Sequence, residues 1–88
     1  MEDIVELPIT DTLDLHTFRP KDIPSLIPEY LNECLIRNIK QVKIVHGKGT
    51  GKLRKGVHDL LKKNSIVKGL KEASPNEGGW GATIVFLH

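Results

Sequence analysis

Between residues 46 and 54 the chain reads His-Gly-Lys-Gly-Thr-Gly-Lys-Leu-Arg, directly after the apolar residues Val42, Ile44 and Val45 and directly before apolar positions spaced as on a helix. Glycine permits the positive φ angles that other residues avoid, so Gly47, Gly49 and Gly51 let the chain leave a strand and enter a helix within one short turn. That turn commits the fold to helices packed on a sheet. It also leaves backbone N–H groups uncovered beside the positive end of a helix dipole, which favours an anion. Lys48, Lys52, Arg54 and Lys55 add to the preference, with Thr50 inside the turn.

Periodicity supplies the remaining elements. Leu13 and Leu15 alternate with Asp14 and His16, predicting a short strand with one apolar and one polar side. Val5, Leu7 and Ile9 alternate too, but Pro8 cannot donate to a ladder, which makes residues 1–11 an extended arm or edge. Ile23, Leu26, Ile27, Tyr30, Leu31, Cys34 and Leu35 are spaced 3, 1, 3, 1, 3, 1 and predict a helix. Asp22 is its expected cap and Pro24 fits its first turn, while Pro28 predicts a kink or a late start. Gln41 to Val45 reads as a buried strand, and Leu53, Val57, Leu60 and Leu61 mark a second helix ending near Asn64. Ile66 to Glu72 and Gly81 to Leu87 are two more strands around the turn-rich segment Ala73 to Trp80.

The order is therefore strand, helix, strand, helix, strand, strand. Short right-handed connections make this a two-layer α/β sandwich: a four-stranded mixed sheet, both helices on one face and the last strand antiparallel. The 88 residues form one expected domain, with a core at 12–87. Phe18, Tyr30 and Phe86 fit core or near-core positions. Val45 and Val85 on an outward sheet face leave room for self-association, although a monomer is the expectation.

A domain this small is too short for an ATPase or a dinucleotide-binding enzyme with a separate substrate domain, so it must act on something larger. Cys34 is the single cysteine and forms no internal disulfide. The acidic start lacks a secretory pattern and Ala82 to Leu87 is too short to span a bilayer, so the cytoplasm is the expected location. A net charge of +2 conceals an uneven distribution. Residues 37–71 hold eleven lysines and arginines against Asp59 alone, whereas residues 1–36 hold eight acidic side chains against two basic ones. A basic middle segment of this kind suits a polyanion.

The glycine turn fits neither common nucleotide motif. Counting back from Gly51-Lys52, the first glycine of a Walker loop falls on His46 and Leu53 follows the lysine; the sixth place of a dinucleotide fingerprint begun at Gly47 falls on Lys52. A phosphodiester backbone held by amides and lysines suits the pattern better.

Three stretches now carry a resemblance: Leu13-Asp14-Leu15-His16, His46-Gly47-Lys48-Gly49-Thr50-Gly51 and Gly78-Gly79-Trp80-Gly81-Ala82-Thr83. In order and spacing they resemble the three signatures of the Smr (small MutS-related) domain, from about Thr12 to Leu87. The resemblance implies a two-layer α/β fold similar to the C-terminal domain of a bacterial translation initiation factor, and an endonuclease that nicks DNA or cleaves RNA. It implies that the Asp-Leu-His motif, here Asp14 and His16, serves cleavage, and that His46, Gly47, Gly49 and Gly51 bind or shape the site. Thr17 stands where glycine usually follows the histidine, which bears on the local backbone.

Read from the residues alone, Asp14 and His16 are two apart in a strand, on one side and about 6.6 Å apart along the chain. His46 ends the neighbouring strand at the same edge. A histidine can take the proton of a ribose 2′-OH while lysines and turn amides stabilise the developing charge, with no cofactor or metal; with DNA a divalent metal held by Asp14 and a histidine would activate water. The expected catalytic residues are Asp14, His16 and His46. The expected phosphate-binding residues are Gly47, Lys48, Gly49, Thr50, Gly51, Lys52, Arg54 and Lys55, with Trp80 as a plane for an unpaired base. His46 as a brace for the turn and Trp80 as packing remain open alternatives. The expected partner is RNA or DNA, including ribosome-associated RNA. A non-catalytic nucleic-acid-binding module and a binder of small phosphorylated metabolites are the competing readings.

Overall fold

The computed structural model describes residues 11–49 and 51–88. Residues 1–10 of the arm expected at 1–11 and Thr50 lie outside them, and Asp11, the last residue of that arm, belongs to the first strand. Six main elements follow in the expected order: β1 (Asp11–Asp14), α1 (Ile23–Ile36), β2 (Gln41–Val45), α2 (Lys52–Lys63), β3 (Val67–Glu72) and β4 (Ala82–Leu87). The sheet order is β1-β2-β4-β3, with β1 and β2 parallel and β4 antiparallel to both of its neighbours.

Both helices cover the same side of the sheet. Val42 and Ile44 of β2 and Val85 and Leu87 of β4 are buried in one core with Ile23, Ile27, Leu31 and Cys34 of α1 and Val57 and Leu61 of α2. Residues at every second strand position share a side, so Val85 faces the helices and only Val45 faces outward. The expected outward pair of valines does not exist. A second, smaller cluster of Ala73, Ala82 and Ile84 lies on the other side. There Lys43 Nζ donates to the Glu77 carbonyl at 3.2 Å and ties the β3–β4 connection to the sheet.

Two local features depart from the sequence reading. Helix α1 begins at Ile23 and runs through Pro28 without a break, so there is no late start. Asp22 precedes it but makes no side-chain cap, because its own backbone is already helical and its carboxylate accepts from Arg19 Nε at 3.2 Å. At the other end Asn38 takes φ 62°, with Ile39 N donating to Cys34 O and Asn38 N to Leu35 O, a Schellman closure that turns the chain into β2. Phe18 is 40% exposed and lies outside the core, whereas Tyr30 and Phe86 are half-buried against it or its smaller counterpart.

Topology decides where the site sits. Helix α1 carries the chain back between two parallel strands, and α2 leaves the end of β2 for β3, which runs parallel to β2. Both helices therefore start at the edge where β1 and β2 end. Their positive dipole ends converge there.

Candidate functional site

At that edge β1 stops at Asp14 rather than continuing, and Leu15–Thr17 form a single 3-10 turn. The turn closes because the Asp14 carboxylate accepts from its second following residue: His16 N lies 3.1 Å from Oδ1. It buries Leu15 and brings the imidazole round, so that His16 Nδ1 also lies 2.7 Å from Asp14 Oδ1. The expected strand spacing is thus replaced by direct contact. His16 is 73% and Asp14 47% exposed at their side chains, so the pair is open to a large substrate. The imidazole and backbone hydrogen bonds from His16 hold the Asp14 carboxyl below its ordinary value. Thr17 does not take a positive φ, so this turn places no demand for glycine on that position.

One strand over, Asp14 pairs with Val45 and both point away from the helices. His46, the next residue, points toward them and is only 6% exposed. Of the three side chains expected to do the chemistry, two come together and His46 does not join them. Its Nδ1 lies 3.1 Å from the Gly47 carbonyl and its Nε2 lies 2.8 Å from Thr83 Oγ1. His58 Nε2 reaches the same Thr83 hydroxyl at 2.8 Å. Burial pushes both imidazoles below their ordinary value, and the nearby Arg54 guanidinium acts in the same direction.

The glycine turn is pinned from beneath. His46 N and Gly47 N both donate to the Gly81 carbonyl, at 3.0 and 2.8 Å. A Cβ on Gly81 would lie 3.2 Å from Lys48 Cγ and 3.5 Å from the Gly47 carbonyl carbon, so the two loops approach closely there and a side chain would press on that of Lys48. Gly47 and Gly51 take φ of 78° and 88°, the left-handed values that the strand-to-helix switch requires. Gly51 precedes the first helical residue and has no side chain to cap the amides of α2.

The basic residues divide. Lys48 lies exposed over Gly81, and Lys52 is the first residue of α2. Lys55 is engaged by Asp59 at 3.2 Å, one helical turn on. Arg54 lies under Trp80, its guanidinium carbon 5.3 Å from the ring centroid, with Nη2 3.7 Å from Glu72 Oε1 and Nε buried without a hydrogen-bond partner. Trp80 rests against Gly51 yet stays 41% exposed. Packing and an open ring face thus coexist in one residue. Among the described residues no group of three or more His, Cys, Asp or Glu side chains is placed to hold a metal ion.

Sequence reasoning missed His58 and the hydroxyl of Thr83. His58 sits one place beside the apolar stripe of α2, a position that reads as solvated until β4 is known to bring Thr83 within 2.8 Å of its ring. Thr83 was visible only as the last letter of a motif.

The edge is thus that of a small α/β domain with an acid–imidazole pair and an amide-rich turn side by side. The chain belongs to the Smr domain family, whose family model matches residues 13–88. It is 42% identical over 79 residues to the endonuclease MutS2 of Staphylococcus epidermidis and 46% identical over 72 residues to that of Finegoldia magna. Those matches cover 90% and 78% of this chain but only 10% and 9% of the relatives. The chain therefore spans about a tenth of the length of these proteins. Among solved structures it is similar to the Smr domain of Thermus thermophilus MutS2, with TM-score 0.84, 29% identity, 90% of this chain and 99% of that chain. It is also similar to YdaL, a stand-alone small MutS-related protein from Escherichia coli, with TM-score 0.80, 26% identity, 88% of this chain and 63% of that one. Among the described residues no helix is long and apolar enough to cross a membrane.

Proposed function

We propose that this domain is a nucleic-acid endonuclease acting on RNA, with Asp14 and His16 at the reacting centre and the glycine turn holding a backbone phosphate. The observation that carries the reading is the 2.7 Å contact between Asp14 Oδ1 and His16 Nδ1, exposed on the edge where β1 and β2 end. A carboxylate that accepts from Nδ1 fixes the imidazole tautomer with its proton on that nitrogen and leaves Nε2 free as a base. His16 Nε2 takes the proton of a ribose 2′-OH, and the oxygen attacks the adjacent phosphorus. The bond to the 5′-oxygen breaks, giving a 2′,3′-cyclic phosphate, and the leaving 5′-oxygen takes up a proton from the imidazolium or from water to become the 5′-hydroxyl. Asp14 stabilises the imidazolium formed on the way, while Lys48 and turn amides meet the charge growing on the phosphate. The name endonuclease borne by the MutS2 relatives agrees with this class of chemistry. His46 acts as a brace for the turn, since its ring is buried and both of its nitrogens are engaged. Trp80 offers a partly open face on which an unpaired base can stack.

The test is cleavage of end-labelled RNA and of supercoiled DNA by the wild type and by His16→Ala. Loss of one general base predicts a rate lower by about 10²–10⁴ for the variant, with RNA binding retained. The expected product carries a cyclic phosphate. A free 5′-phosphate would mean that activated water is the nucleophile, and binding without cleavage by either protein would establish a non-catalytic module.

A further inference from the structure

Between the start of α1 and the length of α2 lies an open cavity of about 780 Å³; the glycine turn forms part of its lining, and the chemistry above does not use the rest. Pro20, Ile23 and Pro24 form one wall. Gly56, Leu60 and Lys63 line the other, at spacings of four and three that place them on one face of α2, and Lys48 of the turn closes the end. Gly56 is the informative residue. In mid-helix a glycine is markedly less favourable than alanine. Its φ is not left-handed, and a Cβ placed on it meets no atom within 4 Å. Neither a turn nor a close approach requires glycine there, and what the missing side chain leaves is room in the cavity.

The lining has an order that selects its occupant. Pro20, Pro24 and Leu60 give it apolar walls, and Lys48 of the turn and Lys63 at the end of α2 also line it. A flat apolar ring joined to phosphates matches that order. We propose that this groove is a subsite for one unpaired nucleobase of the bound strand, adjoining the phosphate at the glycine turn; this rests on the polynucleotide reading above. The volume falls in the range of sites that enclose small molecules. Bases inside a duplex are covered on both faces, so the occupant is single-stranded or turned out of its stack. Of the polar side chains lining it, Asp59 is held by Lys55, Arg54 by Glu72 and the Trp80 ring, and His46 by Thr83, while Pro20, Ile23, Pro24 and Leu60 offer a base only apolar surface. The presence of a base therefore matters more than its identity.

The experiment compares a short single-stranded oligonucleotide with a fully abasic strand of equal length and charge, titrated against the whole chain. The wild type is expected to prefer the strand with bases by tenfold or more. Gly56→Leu, which fills the gap, is expected to lose about tenfold of that preference while retaining the salt dependence of binding. Gly56→Met is the second filling variant, and thermal midpoints at or above that of the wild type show that both fold. An unchanged preference in the two folded variants overturns the subsite and leaves the polynucleotide reading standing. Absence of salt-dependent binding to either strand by the wild type overturns both.

Discussion

Thr83 has one hydroxyl proton and two imidazole nitrogens at 2.8 Å, and this arithmetic assigns every proton around it. His46 Nδ1 faces a carbonyl, so it carries the hydrogen and Nε2 is the acceptor. Thr83 then donates to His46 and accepts from His58 Nε2–H. The resulting line runs from α2 through β4 to the Gly47 carbonyl, and it needs His46 neutral, since Nε2 of that ring must accept, whereas His58 donates from Nε2 in either protonation state. Burial is the main cause that holds both folded-state values below the ordinary 6.5; Arg54 acts likewise on both rings, and Lys62 on His58, where Asp59 opposes it. The unfolded chain therefore binds more protons in the window just below 6.5, and stability falls as pH drops through it. Urea midpoints measured from pH 8 to 5 should show that loss. It should be smaller in His58→Gln, which keeps a donor toward Thr83 but does not titrate; an identical acid response would place the proton uptake elsewhere.

At the scale of elements, α1 is the case where an apparent conflict resolves locally. Pro28 lacks the N–H that would have bonded the Pro24 carbonyl, but that carbonyl belongs to the exposed first turn of the helix and can bond water. Four buried residues, Ile23, Ile27, Leu31 and Cys34, hold the helix on the sheet regardless. Pro28→Ala should then raise the unfolding free energy by roughly 1–3 kcal/mol in chemical denaturation. No gain would mean that the rigidity of the proline ring in the unfolded chain offsets the lost bond. The turn before α2 works the opposite way. Its left-handed residues are glycines, so conformation and sequence agree and the turn was legible from the start.

For the whole molecule, the basic middle segment does not form one face. Lys43 and Lys71 pair across Ile84 on the side of the sheet away from the helices, whereas Lys48 and Lys63 border the groove on the helix side. Of these four only Lys48 belongs to the turn proposed to hold the phosphate, since Lys63 ends α2 at the far side of the groove. The slope of log affinity against log salt should accordingly flatten by about 0.7–0.9 in Lys48→Ala, the amount expected for one phosphate contact. Lys71→Ala should leave it unchanged. Equal flattening by both variants would mean that the strand wraps onto the outer face of the sheet.

How much of this was readable in advance depends on the range of the interaction concerned. Local rules sufficed for the two helices, the strands, the glycine turn and the common edge of Asp14 and the turn, because apolar spacing and φ preferences act within a few residues. They did not reach the direct Asp14–His16 contact, which arises because β1 ends early and its last carboxylate closes a 3-10 turn. Nor did they reach the burial of His46, the convergence on Thr83 of one histidine from just after β2 and another from α2, or the gap at Gly56. Those depend on which side of a strand faces which helix, and residues 25 and 37 positions apart become neighbours only once the layers are packed. Chemistry-bearing residue types were therefore set by the sequence, whereas tertiary packing decided which of them remain open to a substrate and which brace the fold.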